Sequence, residues 1–402
     1  MKSNIVSFIS NDFLVGLANS IFNLAVMWFV LDQTGSAFYT AAIGSLSHIA
    51  QILVGSYAGI KADQFNHPVK MMVYSLRVNS AILLVICISI GLFDINMIFL
   101  IFLLMCREIA IVFQFPNQNK LIPQLVRTQA EVKKVISYRS LTKNVSMMFG
   151  FAGAGFLFTL LPFPMLIIAI LSLYIIGSLL ISHIHIAHQN NQHIQSKKHQ
   201  NSYLEFKKTL AMIMNDYYLK RVLMSAAVLN IISMVAPTFV VYFNQYLNSN
   251  AQDYGLFQFL IALGSMVAAT IGIKLKKHIP SYTILLLFWT LMAITFIYMY
   301  FNTSTSIAVI LGVIIGLCLT LPNILFSTYK IIMIEDAYRG RITGVIQSIS
   351  TLFIPISYFF SAYIAESYGA NVVYLIAGIC QLIIVICLLC DYKMKANFNA
   401  LV

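Results

Sequence analysis

Long apolar runs separated by short polar connections dominate the chain, and the runs are too long and too evenly apolar for strands or for helices of a water-soluble domain. An α-helix needs about 20 residues to cross a hydrocarbon core. Windows of that length predict twelve membrane-spanning helices, near 5–31, 40–61, 71–93, 96–118, 142–161, 163–183, 221–246, 253–275, 281–301, 305–331, 342–365 and 371–391. No apolar leader with a small-residue cleavage site precedes the first, so mature protein is expected from Met1 onward. The spans divide into two sets of six, predicting a bundle over 1–183, a polar linker over 184–220 and a second bundle over 221–402. Two such halves joined by a cytoplasmic linker are the arrangement of a transporter built from repeats.

Composition agrees. Of 402 residues, 60% are hydrophobic and 9% charged, against about 25% charged in an ordinary soluble domain, and the mean hydropathy is +0.85. The net charge of +12 would suit nucleic acid if it were spread over a surface, but it is not. The connections near 32–39, 94–95, 162, 247–252, 302–304 and 366–370 contain no Lys or Arg, so the basic residues lie at the other side, at the termini or within spans. This bias predicts that both termini are cytoplasmic, and the basic excess orients the chain and does not bind nucleic acid. Lys outnumbers Arg, and Ile and Asn are abundant, which points to an AT-rich bacterial genome and a multi-pass protein of the bacterial cytoplasmic membrane.

The linker HQNNQHIQSKKHQ (188–200) is followed by an amphipathic run, 203–223, that predicts one interfacial helix with lysines toward anionic headgroups. His183, His185, His188, His193 and His199 gather in this region. No Cys or carboxylate joins them at ligand spacing before Glu205, so a solvated tether is the favoured reading over a metal site, and no metal or cofactor is expected. The six cysteines all lie in apolar spans, where they read as packing residues; Cys387 and Cys390 form a C-x-x-C without a second pair.

Several stretches in order resemble the major facilitator superfamily, and within it the macrolide-efflux and enterobactin-exporter-like branch. Asn11-Asp12, Trp28 and Thr34-Gly35-Ser36 resemble that branch's first helix and turn. GIKADQFNHPVK (59–70) stands where the superfamily carries Gly-x-x-x-Asp-Arg-x-x-Arg-Lys; Gly59, Asp63 and Lys70 map onto it, and Gln64 replaces its first Arg. PNQNKLIPQLV (116–126) is similar to the branch's stretch after span four, and GFAGAG (150–155) is similar to the antiporter glycine motif with Phe151 in place of its proline. YRGRITGV (338–345) matches the branch's Arg-Gly-Arg turn. The resemblance implies an all-α integral membrane protein with twelve transmembrane helices as two six-helix pseudo-repeats around a central cavity. It further implies that the Gly59–Lys70 loop, with Arg77 and with Arg339, Gly340 and Arg341 of the matching turn, gates the cytoplasmic side, Asp63 acting as a latch and not as a substrate ligand.

Polar groups inside hydrocarbon are functional candidates by default, because each costs several kcal/mol unless it faces a cavity or a partner. Asp12, Gly16, Asn19 and Asn23 are spaced i, i+4, i+7, i+11 along one helix face. Asp12 is a candidate proton carrier; the alternative is that it is hydrated or paired with a basic residue near the cytoplasmic end. Arg107 and Glu108 fall mid-span, with Arg107, Ile111, Gln114 and Gln118 on one stripe. Neighbouring residues on a helix point about 100° apart, so the two charges need not pair. Arg107 either holds an anionic substrate or tunes an acid, with Glu108 as a second proton carrier; an inter-helix ion pair for packing is the competing reading. His48, Asn230, Asn323 and Lys330 form a looser set of cavity candidates, although a lone transmembrane His is more often a packing residue.

These residues favour a secondary active transporter exchanging protons for a small-molecule substrate in the lipid bilayer, working as a monomer. No G-x-x-x-x-G-K-[ST] loop is present to use ATP, and no nucleophile and base constellation marks an enzyme. An amphipathic, drug- or macrolide-like compound suits an apolar aromatic cavity, and an anionic metabolite such as a siderophore suits Arg107 and Lys330. Uptake, or a membrane receptor that senses through the histidine-rich linker, completes the alternatives.

Overall fold

Helix α1 (Lys2–Thr34) turns sharply into α2 (Ala37–Gln64) at Gly35, whose φ of +64° lies in the left-handed region open to glycine. The Gly35 N–H closes the helix end by donating to the Leu31 carbonyl at 2.7 Å. The chain then runs through α3 (Pro68–Leu92), α4 (Met97–Val112), α5 (Gln114–Leu125), α6 (Gln129–Leu160), α7 (Phe163–Ser182), α8 (Ser202–Asn215), α9 (Tyr217–Ile232) and α10 (Val235–Val241). A π-helical turn, Tyr242–Tyr246, leads to α11 (Ala251–Leu275), α12 (Ser281–Phe301), α13 (Thr305–Met333), α14 (Arg339–Tyr368), α15 (Ala370–Leu389) and α16 (Tyr392–Leu401). The structure, a computed structural model, describes residues 2–64, 67–92, 96–126, 128–184, 202–275, 279–335 and 338–401.

Among the described residues, eleven helical stretches are long and apolar enough to cross a bilayer. They coincide with eleven of the twelve predicted spans. The twelfth, 142–161, is the second part of α6, a helix of 32 residues, about 48 Å at 1.5 Å per residue. Its length is ample, while Lys143, Asn144, Ser146 and its glycines make it less apolar than the rest.

Local chemistry explains where the boundaries depart from expectation. Span four is two helices, with Phe113 between α4 and α5, and the stretch 116–126 is helical as far as Leu125. Pro116 sits in the first turn of α5, where a missing N–H leaves no bond unmade. The predicted interfacial helix over 203–223 is also two helices: the Asp216 carboxylate accepts from the Leu219 N–H at 2.8 Å and so starts α9 anew. Helix α6 starts on a capping box, with Thr128 and Glu131 each accepting the other's backbone N–H at 3.3 Å.

The chain packs as two compact units, one from the described parts of Met1–Ala187 and Phe239–Ala262, the other from those of His188–Thr238 and Leu263–Val402. In the first, α1 packs on α6 and α7, α3 on α7 and α4, and α2 on α4. Gly155 is what lets α6 approach α11, because a Cβ there would lie 2.6 Å from the Ala251 carbonyl oxygen and 2.9 Å from Gly255 Cα. Trp28 stacks on Tyr254 in the same unit, with ring centroids 6.0 Å apart.

In the second unit α12 packs on α15 and α13, and α9 on α14. Helix α16, which hydrophobic periodicity did not mark, docks by burying Met394 and Phe398. The Phe398 ring stacks on Tyr329 at 4.6 Å and meets Tyr282 edge-on at 5.5 Å. The Tyr329 hydroxyl donates to Asn397 Oδ1 at 2.7 Å. Large apolar side chains such as Leu53, Leu92 and Ile98 remain exposed, as a multi-pass membrane protein requires of surfaces that meet lipid.

Candidate substrate and coupling site

Two polar networks lie within the first unit, and α1 contributes to both. The deeper one centres on Arg107, ten residues into α4 and so about 15 Å from its start. Its side chain is 1% exposed, and Nη1 lies 2.6 Å from Oε1 of Glu108, the next residue. The sequence left this pairing open; long side chains leaving the helix about 100° apart bend back to meet. Nη2 donates to Asn19 Oδ1 at 2.7 Å and to the Tyr174 hydroxyl oxygen at 2.8 Å. The Tyr174 hydroxyl itself donates to Asn19 Oδ1 at 2.6 Å, closing a triangle between α1, α4 and α7. The guanidinium carbon stands 4.1 Å from the Phe22 ring centroid. A buried cation is tolerable only when paired and hydrogen-bonded, and this one has a carboxylate, two neutral oxygens and a ring face; Nε alone has no partner among the described residues.

The second network lies toward the end of the unit where α6 begins. Arg139 Nε donates to Asp12 Oδ2 at 2.8 Å, and Gln118 Nε2 donates to Asp12 Oδ1 at 3.2 Å. Arg139 also donates to Gln118 Oε1, and to Asn119 Oδ1 at 3.2 Å. Asp12 is therefore ion-paired with a basic residue and 8% exposed, and Lys143 acts on it as a second positive group.

Between the two levels, and across α3, buried amides lack partners among the described residues: Asn79 on both side-chain atoms, Gln114 at Nε2, Asn117 and Asn11 at Oδ1. Such groups are rare in folded proteins and mark places where water or ligand completes the structure.

The structure thus brings together Arg107, Glu108 and Asn19, and joins Asp12 to Gln118. Gln114 is buried at the start of α5, the helix after the one that carries Arg107. Asn23 is exposed on α1, and His48 is half-buried on α2. Asn230, Asn323 and Lys330 belong to the second unit: the Asn230 carbonyl accepts from Ser357 Oγ at 3.3 Å, Asn323 is exposed, and Lys330 Nζ lies 5.7 Å from the Phe326 ring centroid. In the gating set, Gly59 borders open space, Lys70 and Arg77 are exposed on α3, and Arg341 is exposed on α14. The side chains of Asp63, Arg339 and Gly340, and the linker histidines other than His183, lie outside the described residues.

Sequence reasoning missed Tyr174 and Phe22. Tyr174 is the sole Tyr of α7, in an otherwise aliphatic run, and a phenol in such a setting needs a partner; that was the available signal. Also missed was the pair between Arg221 Nε and Asp391 Oδ2 at 3.1 Å in the second unit, where Tyr217 donates to Asp391 Oδ1 at 2.8 Å and Asp391 caps α16 through the Met394 N–H at 3.0 Å. Among the described residues no group of His, Cys, Asp and Glu is placed to hold a metal ion.

A family model described as transmembrane secretion effector matches residues 7–400. No curated protein matches. Solved structures do match over nearly the whole chain. A point mutant of the nucleoside transporter NupG aligns with a TM-score of 0.77 and 11% identity, covering 97% of this chain and 100% of that one. A bacterial homologue of the human lysosomal transporter Spinster gives 0.69 and 12%, covering 99% and 96%. A point mutant of the fucose–proton symporter FucP of E. coli gives 0.60 and 12%, covering 98% of each. At such identities the likeness shows the fold, and that fold is the major facilitator fold.

Proposed function

The chain belongs to the transmembrane secretion effector family, and on that premise we propose that it is a proton-coupled exporter of small amphipathic, drug- or macrolide-like compounds that works by alternating access. That it is a multi-pass membrane transporter of the secondary type follows from the family and the fold. The observation that carries the finer reading is the Arg107–Glu108 pair, held at mid-depth by Asn19 and Tyr174. A proton taken up by Glu108 would remove the counter-charge of Arg107 and release Nη1, which would then compete with the Tyr174 hydroxyl for Asn19 Oδ1. That rearranges α1, α4 and α7 together, which is the kind of bistable change a coupled carrier uses.

The Asp12–Arg139–Gln118 network is the second place for the proton. With Arg107 already balanced by Glu108, the site suits a neutral or cationic amphipathic substrate better than an anionic one. Both termini are assigned to the cytoplasm of a bacterial cell and the working unit to the monomer, the first of these supported by the one-sided distribution of Lys and Arg. On this orientation the Gly59–Lys70 loop, with Asp63, acts as a latch on the inner gate, and 188–200 as a tether.

The test is proton movement in vesicles containing the purified protein, driven by a panel of macrolide-like, cationic and anionic compounds. An amphipathic compound is expected to drive it, and Glu108→Gln or Asp12→Asn to abolish it. Undiminished movement in both variants refutes the coupling; a response to anionic compounds alone replaces the substrate class. Deleting His188 to His199 is expected to leave transport intact, and its complete loss would return the linker to a sensing role.

A further inference from the structure

The exposed side of α3 carries two hollows that meet at one side chain. The first, about 260 Å³, is walled by Lys70, Val73, Tyr74 and Arg77, with Ser182 at the end of α7. The second, about 250 Å³, lies between α3 and α4 and is walled by Met71, Val78, Cys106, Ile109 and Phe113 together with Tyr74. Tyr74, 68% exposed, stands between them. One hollow is basic and the other apolar. The crevice has a fixed floor, because Ser75 Oγ donates to the Ala110 carbonyl and ties α3 to α4 there.

Lys70 and Arg77, seven residues apart, share a helix face about 10 Å along its axis. Both are exposed, and among the described residues neither side chain makes a hydrogen bond or an ion pair. A guanidinium inside a membrane-spanning helix is costly unless it pairs or reaches the headgroup region along its flexible stem. Among the described residues Arg77 has no acid to pair with, and an anionic headgroup is the partner that its exposed position on α3 invites. No carboxylate of the described residues lines either hollow.

We propose that this side of α3 is a binding site for an anionic phospholipid. Its phosphate sits against Lys70 and Arg77, and one acyl chain passes over the Tyr74 ring into the α3–α4 crevice. A free inorganic anion would use only the basic hollow and leave the apolar one idle. A zwitterionic lipid would bring its own ammonium against two unpaired cations. The crevice includes Cys106, adjacent in sequence to Arg107, so the bound chain braces from outside the turn of α4 that holds the guanidinium inside.

The test is native mass spectrometry of the purified full-length protein with phosphatidylglycerol and phosphatidylethanolamine of identical acyl chains. Wild type is expected to retain one phosphatidylglycerol at collision energies that strip phosphatidylethanolamine. Arg77→Gln and Lys70→Gln are each expected to weaken that retention about fivefold, and together about thirtyfold. Val78→Trp, filling the crevice, is expected to weaken it with both cations in place. Inorganic phosphate at millimolar concentration is expected to displace nothing. Equal retention of the two lipids by wild type overturns the proposal, and that comparison stands even where a variant fails to fold. Unchanged retention in the double variant, or full displacement by phosphate, overturns it as well.

Discussion

Replacing Glu108 by Gln keeps the shape of the Arg107 site and deletes one charge. Arg107, at 1% exposure, then keeps only Asn19, Tyr174 and the Phe22 ring as partners. Breaking a buried ion pair from one side costs about 3–5 kcal/mol. Glu108 is 17% exposed, and two neutral oxygens remain on the guanidinium, so a loss of about 2–3 kcal/mol is expected. Arg107→Met should cost a similar amount, because it leaves Glu108 without its cation and Asn19 and Tyr174 without their donor. The double variant should lose less than the sum of the two by about 1–3 kcal/mol, since no lone charge then remains. The assay is the unfolding midpoint of each of the four proteins in mixed detergent micelles, converted through a common slope. If the two losses add to within about 0.5 kcal/mol, the pair is not energetically coupled, and the coupling role assigned to it loses its physical basis.

Tyr174→Phe removes the donor to Asn19 and an acceptor for Arg107; a loss of about 1–2 kcal/mol is expected in the same assay. Gly155→Leu should destabilise by at least about 1–3 kcal/mol, since even a Cβ lies 2.6 Å from the Ala251 carbonyl oxygen, whereas Gly153→Ala meets nothing within 4 Å and should be silent. Phe398→Ala empties the slot between Tyr329 and Tyr282 and should cost about 3–5 kcal/mol of docking energy; fast hydrogen exchange at residues 393–400 with the rest of the second unit unchanged is the expected readout, and unchanged protection there would show that α16 is held by other means.

The spans were legible because the requirement that places them is local: each helix must satisfy its own backbone and be apolar over about 20 residues. Wherever a boundary depended on a single side chain, periodicity was blind to it. Asp216 splits 203–223 by capping α9, and Phe113 splits span four just before Gln114 and Pro116, which periodicity does not read as a boundary. Helix α16 was invisible for a related reason, since its buried apolar anchors among the described residues are Met394 and Phe398, and these sit in slots made by distant residues. In the site, Asn19, Arg107 and Glu108 were found because polar residues in hydrocarbon announce themselves. Tyr174 offered only the signal of a lone phenol in the aliphatic run of α7, and nothing in the sequence names Arg107 as its partner.

What joins the two networks is the register of α1. Asp12 and Asn19 are seven residues apart, about 10 Å along one face, and each finds a partner on the α4–α5 segment, Gln118 for the first and Arg107 for the second. The turn at Phe113 separates the two rungs, Arg107 lying on α4 and Gln118 on α5. The buried amides of Gln114 and Asn117, with unfilled hydrogen bonds, lie between those rungs in sequence. A displacement of α1 along its axis would therefore disturb both networks together, so the Arg107–Glu108 pair and the ion pair of Asp12 with Arg139 are parts of one mechanical element.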